Sequence, residues 1–235
     1  MPAPLRMEPL WREITRRQPS FGGLLQQDLF ECWQQLASLN FLKALFSVTK
    51  RSITCCGLDH EGCGFSAEAV DSANVWGVPL PLAGSTSADW WDVALGMQLT
   101  QVQRLPEWRC PCCGALGAKQ RAMDFATSPC LWLQVHRFEA GPLGPCKLHR
   151  PFPLPPEGMR LAPLRQGVPL SKLHYHLVGA ILHQGEIAGG HYWAVAKRLN
   201  RWFSFDDSRT TSLGTEFPSG LEPLVYGLLF QQALL

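Results

Sequence analysis

The spacing of apolar residues along the chain predicts a helix near the beginning and a long series of strands after it. Residues 24–46 place apolar side chains at helical intervals, namely Leu25, Leu29, Phe30, Trp33, Leu36, Leu39 and Phe41. Short apolar or alternating segments predict strands at 49–56, 75–82, 116–125, 129–138, 173–183, 191–199, 201–206 and 224–231, with a further short strand near Phe152. A second helix is predicted over 87–99, with Ser87 as its N-cap, and residues 1–20 are predicted to be an irregular lead. This order indicates an α+β fold with a mostly antiparallel sheet.

The composition narrows the classes of protein to which the chain can belong. Its 235 residues are 46% hydrophobic and 17% charged, so it is long enough and apolar enough to bury a full core. The 21 glycines and 19 prolines predict many turns and argue against a helical bundle. A net charge of +2 with no basic segment argues against nucleic acid or an anionic membrane as a partner. The absence of a long apolar run and of a signal-like start favours an intracellular protein, cytoplasmic or nuclear.

The nine cysteines are clustered, as metal ligands in a reducing compartment usually are. They occupy positions 32, 55, 56, 63, 110, 112, 113, 130 and 146. Cys110 and Cys113 stand three apart and precede Gly114, which permits a tight turn that points both thiolates at one zinc ion. Cys32 and Cys130 lie in apolar segments and are predicted to be core residues.

A tetrahedral zinc site needs a second pair of ligands. One candidate pair is His60 with Cys63, which repeats the spacing that ends in Cys-Gly, and the other is Cys55 or Cys56 with Cys63. Because the two groups are far apart in sequence, the site is predicted to join two hairpin tips through tertiary structure. The alternative is a set of buried cysteines that bind no metal.

Two predicted neighbouring strands carry a histidine and an aspartate that the sheet geometry can bring together. Gly189 and Gly190 precede His191, and two aspartates, Asp206 and Asp207, end the following strand. If the turn between the strands holds two residues, the His191 imidazole lies diagonal to the Asp206 carboxylate, and Asp207 points to the opposite face. A shift of one residue in the register exchanges the two aspartates. A histidine oriented by an aspartate is the base portion of a nucleophilic site, although a single such pair also occurs as a structural contact.

Six segments, taken in order, carry a resemblance to a known family. They are the helix motif at 26–31 (QQDLFE), the knuckles ending in Cys63-Gly64 and Cys113-Gly114, the strand at 129–138, the histidine segment at 175–192, the acidic segment at 202–207 and the closing strand at 225–230. Together they resemble the ubiquitin-specific proteases, a family of cysteine deubiquitinases. The resemblance covers the chain from about residue 26 to its end.

The resemblance implies a fold, a set of functional residues and a partner. The implied fold is an incomplete fingers–palm–thumb arrangement over 21–235, with zinc-ribbon-like fingers at about 50–125 and a palm at about 126–235. The implied partner is ubiquitin or a ubiquitinated protein. The implied roles are His191 as general base, Asp206 as its orienting partner, Asp207 as a polarising group, Gly189, Gly190 and Tyr192 as the border of the ubiquitin-tail cleft, and Cys110, Cys113, Cys63 and His60 as zinc ligands.

The family's nucleophile is the feature that this sequence does not match. It lies in an Asn-x-Cys-[Tyr/Phe] box before the Gln-Gln-Asp helix, whereas residues 1–25 contain no cysteine. One hypothesis places the box upstream of Met1, which makes the chain part of a thiol hydrolase. A second makes it a catalytically inactive module that binds ubiquitin or another protein, and a third makes it a fragment without activity. Without the box, the chain as it stands is expected to be inactive.

Overall fold

The structure is a computed structural model that describes residues 8–23, 27–37, 39–59, 61–80, 101–142, 144–155, 158–187 and 189–233. This part of the chain contains three α-helices: α1 (Glu8–Arg17), α2 (Leu29–Ala37) and α3 (Asn40–Phe46). Short 3₁₀ helices occur at Pro19–Gly22 and Glu222–Leu224. None of the described helices is long and apolar enough to cross a membrane.

The strands make up most of the described structure. In chain order they are β1 (Val48–Cys56), β2 (Ser66–Ala73), β3 (Trp76–Pro79), β4 (Gln103–Arg109), β5 (Leu116–Thr127), β6 (Cys130–His136), β7 (Phe138–Gly141), β8 (Gly144–Lys147), β9 (Met159–Leu161), β10 (Leu164–Arg165), β11 (Val168–Pro169), β12 (Leu173–Glu186), β13 (Gly189–Arg198), β14 (Arg201–Asp206), β15 (Arg209–Gly214) and β16 (Val225–Gln232).

These strands form two large sheets and one small one. The eight-stranded sheet has the order β15-β14-β13-β12-β16-β6-β3, with β9 paired to β12. The six-stranded sheet has the order β11-β10-β5-β1-β2, with β4 paired to β5. Strands β7 and β8 pair as a separate ribbon. All pairs are antiparallel except β3 with β6, which agrees with the predicted antiparallel α+β fold.

The eight-stranded sheet is covered on both faces, because neighbouring residues of its central strands are buried on opposite sides. Leu131 and Leu133 of β6 belong to the main core, whereas Trp132 between them packs with the helices. The Trp132 ring stacks on Trp33 of α2 with centroids 4.8 Å apart, and Trp33 meets Phe46 of α3 edge-on. The helices therefore form a second layer on the sheet that carries the candidate site.

The N-terminal predictions need correction. Residues 24–46 were expected to form one helix, but the described part contains α2 and α3, which are separated at Leu39, a residue with extended backbone. Residues 24–26 and 38 lie outside the described residues. The lead at 1–20 was expected to be irregular, yet it contains α1, in which Glu13 pairs with Arg16 and Arg17 at helical spacing.

Most of the predicted strands are confirmed. The eight segments predicted as strands each contain one in the described residues, and β12 and β13 extend the predicted bounds. The strand expected near Phe152 is wrong: Phe152 is fully buried in a segment without regular structure, and the next strand is β9. The helix predicted at 87–99 lies outside the described residues.

Candidate active site and metal centre

The β13–β14 hairpin sets the register on which the candidate active site depends. Arg198 pairs with Arg201, so the turn holds only Leu199 and Asn200, as predicted. Both residues have positive φ, +45° and +61°, which is the requirement of a tight type I′ turn. Asparagine tolerates this backbone well, and Leu199 adopts it while fully exposed.

The hairpin brings His191 and Asp206 into direct contact. His191 Nε2 lies 2.5 Å from Asp206 Oδ1, and both side chains are about half exposed. The imidazole stacks on the ring of Trp193, the next residue on the same face of β13, with centroids 6.0 Å apart. The predicted diagonal contact between His191 and Asp206 is therefore present. The imidazole is held at its edge by the carboxylate and on one face by the Trp193 ring.

Asp207 differs from the prediction. It was expected to point to the opposite face, but ligand atoms of His191, Asp206 and Asp207 all lie within 4.8 Å of one another. The reason is that β14 ends at Asp206 and Asp207 turns with a φ of +49°, so the alternation of a strand no longer applies to it. Two carboxylates consequently face one imidazole.

The electrostatic surroundings make His191 more basic than an ordinary histidine. The hydrogen bond to Asp206 raises the pKa of His191 most, and the charges of Asp206 and Asp207 add to it. Since Nε2 is committed to Asp206, Nδ1 is the ring atom that can exchange a proton with a reacting group. This is the geometry of a base with its orienting carboxylate.

A small cavity of about 230 Å³ adjoins this hairpin. Its lining residues come from the start of α2, from β7 and from the β12–β13 turn: Gln27, Asp28, Phe138, His183, Glu186, Ile187, Gly189, Gly190 and Tyr192. All three residues expected to border a tail cleft, Gly189, Gly190 and Tyr192, are among them. A Cβ atom at Gly190 would overlap the His183 ring and the carbonyl oxygen of Gln184. Close packing against β12 is therefore one physical reason for glycine at this position.

Sequence reasoning missed a polar network beside the cavity. Tyr226 of β16, almost fully buried, donates a hydrogen bond to Asp28 Oδ2 at 2.8 Å. The other carboxylate oxygen, Oδ1, caps α2 by accepting from the backbone N–H of Phe30. Burial raises the pKa of Tyr192, which shares a hydrogen bond with Tyr226, to about 12. The sequence placed Asp28, Tyr192 and Tyr226 in separate segments of the family resemblance, and nothing in it indicated that they meet.

Four cysteines meet where β1 and two loops of the six-stranded sheet converge. Cys56 Sγ lies 3.7 Å from Cys113 Sγ, and Cys63 Sγ lies 3.7 Å from Cys110 Sγ. All four sulfur atoms lie within 4.8 Å of one another. Sulfur ligands about 2.3 Å from a zinc ion in a tetrahedron are about 3.8 Å apart, so the group fits a four-thiolate metal site.

The local backbone explains how the four thiols converge. Gly64 and Gly114, directly after Cys63 and Cys113, have φ values of +81° and +74°, which suit glycine best. In the second knuckle the Gly114 N–H donates to the Cys110 carbonyl at 2.9 Å. Burial tends to raise the pKa of Cys110, but hydrogen bonds from backbone N–H groups and neighbouring thiols outweigh it and lower this pKa to about 7.

The metal-ligand predictions are met in part. Cys63, Cys110 and Cys113 lie together as expected, and Cys56 is the described residue that completes the group. His60, the other candidate partner, lies outside the described residues. Four thiolates already complete a tetrahedral set, so the arrangement needs no ligand from His60. Cys55, the neighbouring alternative in the sequence, is not part of the cluster.

Comparisons with known proteins agree with this architecture. The profile of the family "Ubiquitin carboxyl-terminal hydrolase" matches residues 4–230. Two similar solved structures are the SAGA DUB module Ubp8/Sgf11/Sus1/Sgf73 bound to monoubiquitin and the same module bound to ubiquitin aldehyde. Each is 21% identical with a TM-score of 0.70, and the match covers 94% of this chain and 52% of that chain. Among curated proteins, none matches.

The chain belongs to the ubiquitin carboxyl-terminal hydrolase family, because the profile covers nearly all of its residues. The resemblance to the deubiquitinases is thereby confirmed, and the solved structures, at 21% identity, show a shared fold. The chain spans about half the length of those solved chains.

Proposed function

We propose that this chain is the base-bearing, ubiquitin-recognising part of a cysteine deubiquitinase. Its His191–Asp206 pair takes the proton from a thiol nucleophile during hydrolysis of a peptide or isopeptide bond at the ubiquitin C-terminus. The observation that carries the proposal is the 2.5 Å contact between His191 Nε2 and Asp206 Oδ1, which leaves Nδ1 as the basic atom. Asp207 adds negative charge that stabilises the imidazolium formed in that step.

The cavity beside the hairpin supports a protein tail as the substrate. It is bordered by Gly189 and Gly190 on one side and by the Tyr192 ring on another. Its volume of about 230 Å³ suits a narrow extended segment better than a folded surface or a bulky side chain. The Gly-Gly end of ubiquitin has no side chains and matches these dimensions. We assign Gly189, Gly190 and Tyr192 to the tail cleft on this basis.

The four-cysteine group is proposed to hold a structural zinc ion. Cys56, Cys63, Cys110 and Cys113 would ligate it, and bound zinc would fix the ends of the strands and loops that carry them. We assign the six-stranded sheet, whose strands β1, β2, β4 and β5 lie largely within about 50–125, to the proposed fingers and the eight-stranded sheet to the palm. Thiols arranged for a metal also favour an intracellular location, cytoplasmic or nuclear.

A second candidate function is ubiquitin binding without hydrolysis. It is favoured by the observation that the 235 residues contain no Asn-x-Cys-[Tyr/Phe] segment to supply the attacking thiol. In that case the His191–Asp206 pair and the tail cleft serve only to recognise ubiquitin. Both candidates require the tail of ubiquitin to enter the cleft, and they differ in turnover.

Ubiquitin binding is tested on the 235-residue chain, and turnover is tested on the chain together with the sequence that its gene encodes upstream of Met1. Calorimetric titration with ubiquitin is expected to give a dissociation constant in the micromolar range, and ubiquitin that lacks its two terminal glycines is expected to bind at least about tenfold more weakly. Hydrolysis of a fluorogenic ubiquitin C-terminal amide is then measured for the upstream-extended chain and for the same extended chain with His191→Asn. Turnover that disappears in His191→Asn supports the hydrolase. Tail-dependent binding without turnover supports the binding module, and equal affinity for both forms of ubiquitin refutes the tail cleft.

A further inference from the structure

Lys147 is a buried cation that the base and its orienting carboxylate do not contact. It ends β8 and is only 6% exposed. Its ammonium lies 2.9 Å from His183 Nδ1, 2.9 Å from the His183 carbonyl oxygen and 2.8 Å from the Gly185 carbonyl oxygen. The three ammonium protons of Lys147 thus have three acceptors, all of them on residues near the end of β12. Within the described residues Lys147 forms no ion pair with a carboxylate.

The contact between Lys147 and His183 determines the state of the imidazole. An ammonium can only donate, so Nδ1 of His183 accepts and Nε2 carries the ring proton. Burial lowers the pKa of His183 most, and the positive charge of Lys147 lowers it further, against the opposing charges of Asp28 and Glu186. His183 is therefore a neutral ring whose Nε2–H side faces Gly190, at the wall of the cavity.

The residues that Lys147 holds lie on either side of the residue that faces the candidate base. In the β12–β13 pair, His183 is opposite Tyr192, Gln184 is opposite His191, and Gly185 is opposite Gly190. The two carbonyl groups bound by the ammonium therefore bracket the residue that pairs with His191. Lys147 itself pairs with Phe138 across the β7–β8 ribbon, and this pairing fixes the backbone position from which its side chain extends.

We propose that Lys147 is a positioning residue of the deubiquitinase site. Its ammonium holds His183 in the neutral Nε2–H tautomer and fixes the end of β12. The position of the paired strand that carries His191, and of the wall of the tail cleft, is fixed as a result. The inference deepens the proposed function and rests on it for the identity of the ligand. The tautomer and the position of the strand do not depend on that ligand.

The test uses the full chain labelled with ¹⁵N at histidine, with the imidazole signals of His183 and His191 recorded at neutral pH. Wild-type His183 is expected to show the pattern of a ring protonated at Nε2 only. In Lys147→Met the proton is expected to distribute over both nitrogens, the His191 signals are expected to shift, and ubiquitin affinity is expected to fall about tenfold. Lys197→Met, the same substitution at an exposed position of β13, is the matched control and should leave all three unchanged.

The outcomes separate this inference from the proposed function. A wild-type His183 that carries its proton on Nδ1 overturns the inference, and that measurement needs no variant. His191 signals that stay unchanged in Lys147→Met also overturn it; Lys147→Gln replaces this variant if it does not fold. A wild-type chain that shows the expected tautomer but does not bind ubiquitin refutes the proposed function and leaves the positioning of the hairpin supported.

Discussion

Removal of one hydroxyl group tests whether the buried link between helix α2 and the large sheet stabilises the fold. In Tyr226→Phe the ring stays in place, but Asp28 Oδ2 loses its donor at 2.8 Å and Tyr192 loses a hydrogen-bond partner. A buried hydrogen bond to a charged group contributes about 1.5–3 kcal/mol, whereas one between neutral groups contributes about 1 kcal/mol. We therefore expect Tyr226→Phe to lower the free energy of unfolding by about 2 kcal/mol, equivalent to about 4–8 °C in Tm for a chain of this length.

Tyr175→Phe is the matched control for this substitution. Tyr175 is fully buried, and its hydroxyl contacts only neutral groups, Thr127 Oγ1 at 2.8 Å and the Ser128 carbonyl oxygen at 3.1 Å. The same deletion should therefore cost about 1 kcal/mol there. Urea denaturation followed by tryptophan fluorescence gives both values, provided that the slope with denaturant is unchanged.

A double-mutant cycle completes the test. Asp28→Asn keeps an oxygen that can cap α2 but removes the charge that Tyr226 meets, so the two substitutions should be non-additive by about 1 kcal/mol. The reasoning is refuted if Tyr226→Phe costs no more than Tyr175→Phe, or if Tyr226→Phe and Asp28→Asn are additive.

Three further predictions address the candidate active site, the metal centre and the hairpin packing. Asp206→Asn should lower the pKa of His191, which NMR titration measures. Because the pKa of His191 is raised in the folded wild type, the stabilisation from this contact is present below the unfolded pKa of about 6.5 and is lost as pH rises through the folded pKa. The wild type should therefore exceed the variant in stability by more at about pH 5.5 than at about pH 8.5. Cys110→Ser should abolish the binding of about one zinc ion per chain, measured by mass spectrometry of the metal, and a chelator should lower the Tm of the wild type only. Gly190→Ala should cost about 1–3 kcal/mol because its Cβ has no room, whereas Gly22→Ala, whose nearest neighbouring atoms are 3.8 Å away, should change stability by less than about 0.5 kcal/mol.

Clear results would contradict each of these. An unchanged titration midpoint for the histidine would show that the carboxylate does not set its basicity. Full zinc content in the Cys110→Ser variant would show that the metal ion does not bind at the four-cysteine group. Equal stability of the two alanine variants would show that the hairpin can relax around the added methyl group.

The histidine–aspartate pair was accessible from the sequence because it depends on local geometry alone. A turn of two residues fixes which positions of β13 and β14 face each other, and the alternation of side chains then places His191 beside Asp206. The same reasoning failed one residue later, at Asp207, because alternation ends where the strand ends. The sequence analysis also missed α1, a short helix that carries charged pairs at helical spacing and buries only Ile14.

The parts that could not be predicted depend on contacts between distant segments. The sequence left the choice among Cys55, Cys56 and His60 open, and the pairing of β1 with β5 is what brings Cys56 to the other three cysteines. The contact of Lys147 with His183 spans 36 positions, and that of Asp28 with Tyr226 spans 198. No periodicity or short motif encodes such pairs. Each is set by tertiary packing: of the loops of the six-stranded sheet, of the β7–β8 ribbon against β12, and of the start of α2 against β16.

Two histidines on adjacent strands have opposite surroundings, and this difference assigns their roles under the proposed function. Burial and a neighbouring ammonium lower the pKa of His183, while a carboxylate raises the pKa of His191. A neutral imidazole whose Nδ1 already accepts from an ammonium can donate one hydrogen bond from Nε2, and its lowered pKa makes it a weak proton acceptor. A half-exposed imidazole with two carboxylates beside it can accept a proton and stabilise the resulting charge. Under the proposed function His191 is therefore the proton acceptor, and the neutral ring of His183 holds the wall against which the tail would lie.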